Sequence, residues 1–395
     1  MTDRVVVLGA GYAGVGAVQS FQEAAPTETE LVWVSKTDYH LVLHEVHRVI
    51  REPSAESKVT IPVDELAPEA EFVQGTVEGV DVEERTVELA DGDSVDYDYL
   101  LVGIGSATAF YGIEGLREQS LTLKSLDDAR EIHDAVRSAA SDASRENPAR
   151  VVVGGAGLSG IQCAGEVAGW RDDNDAPVEV ALVEGLDRIF PNNDPEIQGA
   201  LRARLTQADV EIHTGEFISA VDDETIYVGG GEDEDPTEMA YDVLVWTGGI
   251  TGREAAANTD VDQDRRSHRI ETATDFQTSD DRVFAVGDAA LVDQDDNVAP
   301  PTAQAAWDAA EVAGENLARA VQGRPLRTWR HEDKGTLISV GHEAVAHQVK
   351  IPGLAAFLPR TFGGPAARAL KKAVACRWIA DISTPTRALK AWSDM

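Results

Sequence analysis

The chain has 395 residues, with 70 Asp and Glu against 34 Lys and Arg, a formal net charge of −36. That length allows two or three domains, and an apolar content of 43% is ordinary for a globular chain. The acids run along the whole sequence, which argues against a nucleic-acid partner, because phosphate binding needs clustered cations. A surface this acidic fits concentrated salt, where the Debye length is short and self-repulsion is tolerated. No run of about 18 apolar residues offers a membrane-spanning helix. Cys163 and Cys376 are the two cysteines, so there is neither a disulfide framework nor a C-x-x-C pair, as fits a reducing compartment.

The first strand is expected from about residue 4, which leaves no room for a signal peptide ahead of it. Val5, Val6, Val7 and Leu8 form a short apolar run suited to a parallel strand buried on both faces. Gly9, Gly11 and Gly14 follow at G-x-G-x-x-G spacing, and Ala17 and Val18 continue with helical character. The first glycine permits a tight turn, the second lets a pyrophosphate approach the backbone, and the third lets helix and strand pack closely. The phosphates then face free N–H groups at a helix N-terminus. Leu31–Val34 reads as the second strand. It ends in Ser35 where a ribose-binding acid is expected, with Asp38 a displaced substitute. Tyr39–Ile50 reads as a helix near a cofactor, carrying His40, His44 and His47; its spacing fails H-E-x-x-H, so no metal is expected. Phe72–Tyr99 alternates around Asp91-Gly92 as a small meander. Leu100–Ser106 is another buried strand, Ser125 caps a helix to Ala140, and Ser141–Pro148 is a polar linker.

Arg150–Val167 repeats the first motif, with Gly155, Gly157 and Gly160 after Val151–Val153. Two such units suggest two dinucleotides and a carrier between them. The following strand, Val178–Val183, ends in Glu184. An acid there can accept from both ribose hydroxyls and would repel a 2′-phosphate, favouring NADH over NADPH; a solvated strand-end Glu is the alternative. Gly229–Pro236 and Asp293–Asn297 read as solvated acidic loops, the second lacking the Gly and Glu of a calcium loop. Val283–Leu291 is a strand feeding Gly287-Asp288, whose carboxylate can bond a polyol. Thr302–Ala320 is a helix whose N-terminus could face an anion. Short strands are expected around Thr336–Val340 and Ala344–Val349. From Arg360 the balance turns basic. Ala366, Leu370, Val374 and Trp378 share one helical row, which reads as an interfacial anchor or, alternatively, as a helix docked on the chain's own acidic surface.

Several segments follow one another in a recognisable order: YDYLLVGIGSAT (Tyr97–Thr108), the second glycine motif, DVLVWTGGI (Asp242–Ile250), VFAVGDAA (Val283–Ala290), PPTAQAA (Pro300–Ala306) and DKGTLISVG (Asp333–Gly341). Over nearly its whole length the chain resembles the type II NADH dehydrogenases, single-chain, non-pumping NADH:quinone oxidoreductases with FAD, and its composition resembles that of haloarchaeal proteins. The resemblance implies an α/β fold of two Rossmann-like dinucleotide-binding domains plus a C-terminal membrane-facing segment. The FAD domain would comprise residues 1–112 and 253–325, the NADH domain 113–252 and the quinone- and membrane-facing segment 326–395. Gly9, Gly11, Gly14, Val77, Gly105, Gly287 and Asp288 would contact FAD, and Gly155, Gly157, Gly160 and Glu184 would contact NADH. Ala303, Gln304 and Lys334 match positions beside the flavin ring and quinone, with Gln304 and Lys334 as the catalytic pair. The implied partners are a membrane quinone and, through the tail, the bilayer surface; a homodimer is left open. The implied location is cytoplasmic, peripheral on the inner face of the cell membrane. The chain departs from the family pattern at Ser35, at Gln162, where many members carry Glu, and at Asp308, where a second Gln is usual. Two other readings stand: sulfide:quinone oxidation, which needs cysteines flanking the flavin, and a flavin-bearing NADH sensor without turnover.

Overall fold

The computed structural model describes residues 2–230, 235–295, 297–351 and 358–392. Two parallel sheets carry it. In the first, the strands run Val283–Ala285, Tyr99–Val102, Arg4–Leu8, Glu30–Ser35, Glu71–Gln74. Val5, Val6, Val7 and Leu8 are wholly buried at its centre, as a strand covered on both faces requires. In the second, the order is Val210–Thr214, Val178–Glu184, Ala149–Gly154, Val243–Trp246. The first sheet thus takes strands from sequence on both sides of the second. Paired short strands, Ser106–Thr108 and Ile250–Gly252, lie where the chain passes between them.

Each leading strand turns directly into a helix, Tyr12–Ala24 in the first unit and Leu158–Asn174 in the second. The helix Ala303–Val321 packs on Tyr12–Ala24, and the contact is close because small residues line it: a Cβ on Gly314 would lie 2.3 Å from the Ala17 carbonyl oxygen. The expected meander is present as Val77–Asp81, Thr86–Leu89 and Ser94–Asp96. The helix after it runs Leu126–Asp142, and Ser125 accepts from the Asp128 N–H as its cap (3.0 Å).

The C-terminal part is an antiparallel sheet of Thr336–Val340, Glu343–His347 and Thr361–Gly363, followed by helices Pro365–Ile382 and Pro385–Ala391. Each helix begins on proline, whose fixed φ and missing N–H suit a first turn. Among the described residues no helix is long and apolar enough to cross a membrane.

Two expectations are corrected. Tyr39–Ile50 is not one helix. It is a strand, Tyr39–Leu41, a single tight turn, Leu43–Glu45, and the start of a short helix, Arg48–Arg51. The strand forms because Tyr39–Leu41 pairs with Thr60–Pro62, a partner that periodicity cannot reveal. In the apolar row of the tail, Trp378 is not free either, whereas Ala366 and Val374 are exposed. Trp378 is buried, donating from Nε1 to His40 Nε2 at 2.9 Å and packing on Trp307 at 4.5 Å between ring centroids. Lys371 is buried against Glu45. Part of the Gly229–Pro236 turn and Asp296 of the Asp293–Asn297 loop lie outside the described residues, as does the chain beyond Trp392.

Candidate active site

The two glycine turns have one geometry. Gly9 and Gly155 sit at φ +97° and +89°, a region a side chain rarely adopts. Gly14 and Gly160 close the turns: a Cβ on either would stand 1.8 Å from the carbonyl oxygen of Gly9 or Gly155. At Gly11 and Gly157, by contrast, a Cβ would meet nothing within 4 Å. Both are N-caps without a side-chain cap, and neither helix has an acid in its first turn. Open space before uncapped helical N–H groups is the cradle a pyrophosphate needs, so the residues present fit two dinucleotides.

Glu184 ends the Val178–Glu184 strand beside the second turn and is 9% exposed. Its carboxylate accepts from the Ala156 N–H at 2.8 Å and from the Leu186 N–H at 3.0 Å. Ala156 lies between Gly155 and Gly157, so the acid is fixed at the turn itself and is not a solvated strand end. The first unit differs. Ser35 is buried and its hydroxyl accepts locally from the Thr37 N–H, while Asp38 is exposed. The Gly75 N–H donates to the Ser35 carbonyl (2.9 Å), which brings the chain leading into Val77 beside the end of that strand.

Gly105 and Gly287 both take φ +71°, one after the Tyr99–Val102 strand and one after Val283–Ala285, neighbouring strands of the first sheet. Asp288 accepts from Ser106 Oγ at 3.2 Å, and Lys124 Nζ donates to the same hydroxyl at 3.2 Å. Burial lowers the Lys124 ammonium from its ordinary value, and the Asp288 charge opposes that. Lys124 carries no motif; in a lysine-poor chain its scarcity was the available signal.

Ala303 and Gln304 open the Ala303–Val321 helix, capped by Thr302, which accepts from the Ala305 N–H at 3.2 Å. Gln304 Nε2 donates to the Glu332 carbonyl at 3.0 Å. Lys334, two residues on, lies 2.6 Å from Asp308, one turn along the same helix from Gln304. The residue that departs from the family pattern is therefore the counter-ion of Lys334. Gly335 must be glycine: at φ +98° its Cβ would come within 2.6 Å of the Gln348 carbonyl oxygen. Gln162 donates to Ser339 Oγ at 3.1 Å, and the same oxygen lies 2.7 Å from His47 Nε2.

Sequence reasoning missed an adjoining buried cluster. Tyr12, in the first turn of the first helix, hydrogen-bonds His44 Nδ1, and its ring packs on His40 and Trp378. Burial pushes His40 and His44 down to about 4, so both are neutral near pH 7. Glu45 is wholly buried; burial pushes its carboxyl up, but Lys371 at 3.0 Å and Arg48 together override that and hold it ionised. Cys163 is buried with its thiol pushed up to about 12, and Cys376 is buried against the Ala388 carbonyl.

Paired parallel sheets, each with a glycine turn fit for a dinucleotide, define a two-dinucleotide oxidoreductase. The chain belongs to the pyridine nucleotide-disulphide oxidoreductase family, which matches residues 3–310. It is 26% identical over 361 residues to a type II NADH:quinone oxidoreductase of Staphylococcus aureus, covering 87% of this chain and 89% of that one. Among solved structures it resembles NDH2 of Plasmodium falciparum in complex with NADH (TM-score 0.81, 14% identity, 100% and 98% covered). It also resembles the sulfide:quinone oxidoreductase of Aquifex aeolicus (TM-score 0.79, 16% identity, 98% and 92% covered).

Proposed function

We propose that this chain is a type II NADH:quinone oxidoreductase: it uses FAD to take a hydride from NADH and deliver two electrons to a membrane quinone, without pumping protons. The observation that carries the reading is the pair of open glycine turns, one closed by a buried Glu184 and the other sharing its sheet end with Asp288. Bound FAD would supply two-electron transfer between donor and acceptor.

The roles of the residues follow from their chemistry. Gly9, Gly11 and Gly14 give the FAD pyrophosphate its N–H groups, with Val77, Gly105, Gly287 and Asp288 completing the site. Gly155, Gly157 and Gly160 do the same for NADH. Glu184 presents a carboxylate to the ribose and repels a 2′-phosphate. Ala303 and Gln304 bring a helix N-terminus, with its partial positive charge, to where negative charge develops on reduction. Lys334 adds a full charge there, oriented by Asp308. We assign residues 1–112 and 253–325 to FAD, 113–252 to NADH, and 326–395 to quinone and membrane.

The bilayer-facing surface is proposed to be the outer side of the last two helices. Val374, Leu389 and Trp392 are 37%, 76% and 42% exposed, with Arg377 and Lys390 on the same two helices. That would hold the protein peripherally on the inner face of the membrane. The sulfide reading is weaker, because a buried thiol raised to about 12 supplies no thiolate.

The test is the visible spectrum of the purified flavoprotein under anaerobic conditions. NADH should bleach the flavin band and a soluble quinone should restore it. Protein that NADH does not bleach overturns the reading, and bleaching that no quinone reverses favours the sensor.

A further inference from the structure

Away from the glycine turns, one recess stands out against the charge of the chain. A cavity of about 250 Å³ lies between the short helix Arg48–Arg51, the tight turn joining Thr336–Val340 to Glu343–His347, and the first half of Pro365–Ile382. Arg48, Arg51, Arg368, Lys371 and Lys372 line it. Five of the 34 Lys and Arg of a chain with net charge −36 thus meet at one small space.

Buried acids behind this wall hold three of its five cations in place. Glu45 takes Lys371 and Arg48 from behind, and Glu166 takes Arg51 at 2.6 Å; both carboxylates are wholly buried. Of the lining acids, Glu343 lies 4.0 Å from Arg204 and Glu52 accepts from Ser54 at 2.8 Å. At the rim, Arg368 donates to the His342 carbonyl at 3.1 Å, and Lys372 donates to the Trp392 carbonyl at 3.3 Å. His342 itself stands beside Arg51 and 3.0 Å from Asp173. Arg368 is therefore occupied by a carbonyl group, which an anion can outbid.

The recess is separate from both dinucleotide turns. It runs along Leu158–Asn174 beyond the turn: in its lining Ser339 accepts from Gln162, Gly341 lies against Gly165 and Arg51 lies against Gly169, four, seven and eleven residues from the start of that helix, or about 6 to 16 Å at 1.5 Å per residue. Its volume is below that of an ordinary cofactor pocket, about 300 Å³ and upward, and suits one compact anion with its water. Guanidinium groups favour phosphate oxygens by their fork of donors.

We propose that this recess binds a phosphate group, presented either by a soluble phosphate compound or by a phospholipid headgroup. The proposal stands apart from the quinone reading: it needs neither NADH nor flavin chemistry.

The test uses the full-length, FAD-loaded protein with saturating NAD⁺, so that both dinucleotide turns are filled, in molar potassium chloride. The probes are inorganic phosphate, followed by calorimetry, and phosphatidylglycerol vesicles, followed by co-sedimentation, with phosphatidylcholine vesicles as control. Saturable binding of either probe should weaken at least tenfold in Arg368→Gln/Lys372→Gln. It should change less than twofold in Arg137→Gln/Arg145→Gln, which removes the same charge from exposed surface far from the recess and the tail. Phosphate binding identifies a soluble source; binding of phosphatidylglycerol vesicles alone identifies the headgroup. If the double variant does not accumulate with FAD, Arg368→Gln alone is compared, with Arg368→Lys expected to restore part of the affinity. Binding of neither probe, or equal loss in both double variants, overturns the proposal.

Discussion

Replacing Glu45 by Gln removes the one carboxylate shared by two buried cations. Glu45 is wholly buried, Lys371 is 4% exposed and Arg48 is 7% exposed. The Glu45–Lys371 contact is 3.0 Å, worth about 5–6 kcal/mol of attraction at an effective dielectric of 20. Desolvation of both charges offsets much of that, and breaking such a pair costs about 3–5 kcal/mol because a buried charge loses its partner. Glu45→Gln leaves two such charges facing each other, so a loss near the upper end is expected. Lys371→Met leaves Glu45 its Arg48 partner and should cost about 1–2 kcal/mol, within the ordinary range for a point change. The diagnostic is the double variant: Lys371→Met added to Glu45→Gln should recover at least about 1 kcal/mol, since it removes one orphaned cation. The assay is thermal melting of the flavoprotein in molar salt, where each kcal/mol moves Tm by roughly 1 °C for a chain of this size. Losses in the double variant that simply add, or a Glu45→Gln protein that melts with the parent, would refute the reasoning.

Four further outcomes are expected. Glu184→Gln should lower the NADH-over-NADPH ratio of kcat/KM by about tenfold, because a carboxylate that bonds ribose and repels 2′-phosphate becomes neutral; an unchanged ratio contradicts the role of Glu184. Lys334→Met should slow flavin reoxidation by quinone more than reduction by NADH in stopped flow, and slowing of reduction alone would misplace Lys334. Stability should fall as pH drops from about 6.5 towards 4. His40 and His44 are held neutral down to about 4 in the fold, whereas the unfolded chain protonates them earlier and so binds more protons across that window. Melting curves of His44→Asn should show a shallower slope there. Leu389→Ser/Trp392→Ser should reduce vesicle co-sedimentation in concentrated salt while leaving NADH bleaching of the flavin intact. Removing everything after Phe362, in contrast, should cost the fold, because Trp378 and Lys371 are packed against His40 and Glu45; a truncated protein that keeps FAD and its Tm would contradict that.

What could be read from the sequence was what local chemistry dictates. The apolar runs Val5–Leu8 and Val151–Val153, the glycine spacings after them, the Ser125 cap and the Glu184 strand end each depend on residues close together in the chain. Each is found as expected. Tertiary structure alone decided the partners that lie far apart. His40 and Trp378 are 338 residues apart and share a hydrogen bond. Helical periodicity placed Trp378 on a lipid-facing row, but an apolar row carries no label for what covers it, and here the covering comes from Tyr12, His40 and Trp307. For the same reason Tyr39–Leu41 became a strand once Thr60–Pro62 offered backbone partners. Asp308 looked like a lost quinone contact until the fold placed it 2.6 Å from Lys334. Pattern along a chain gives the period of a face and the chemistry of a turn. Which charge meets which depends on chain crossings that lie beyond any local window, and those crossings put Glu45 and Lys371 into one buried contact.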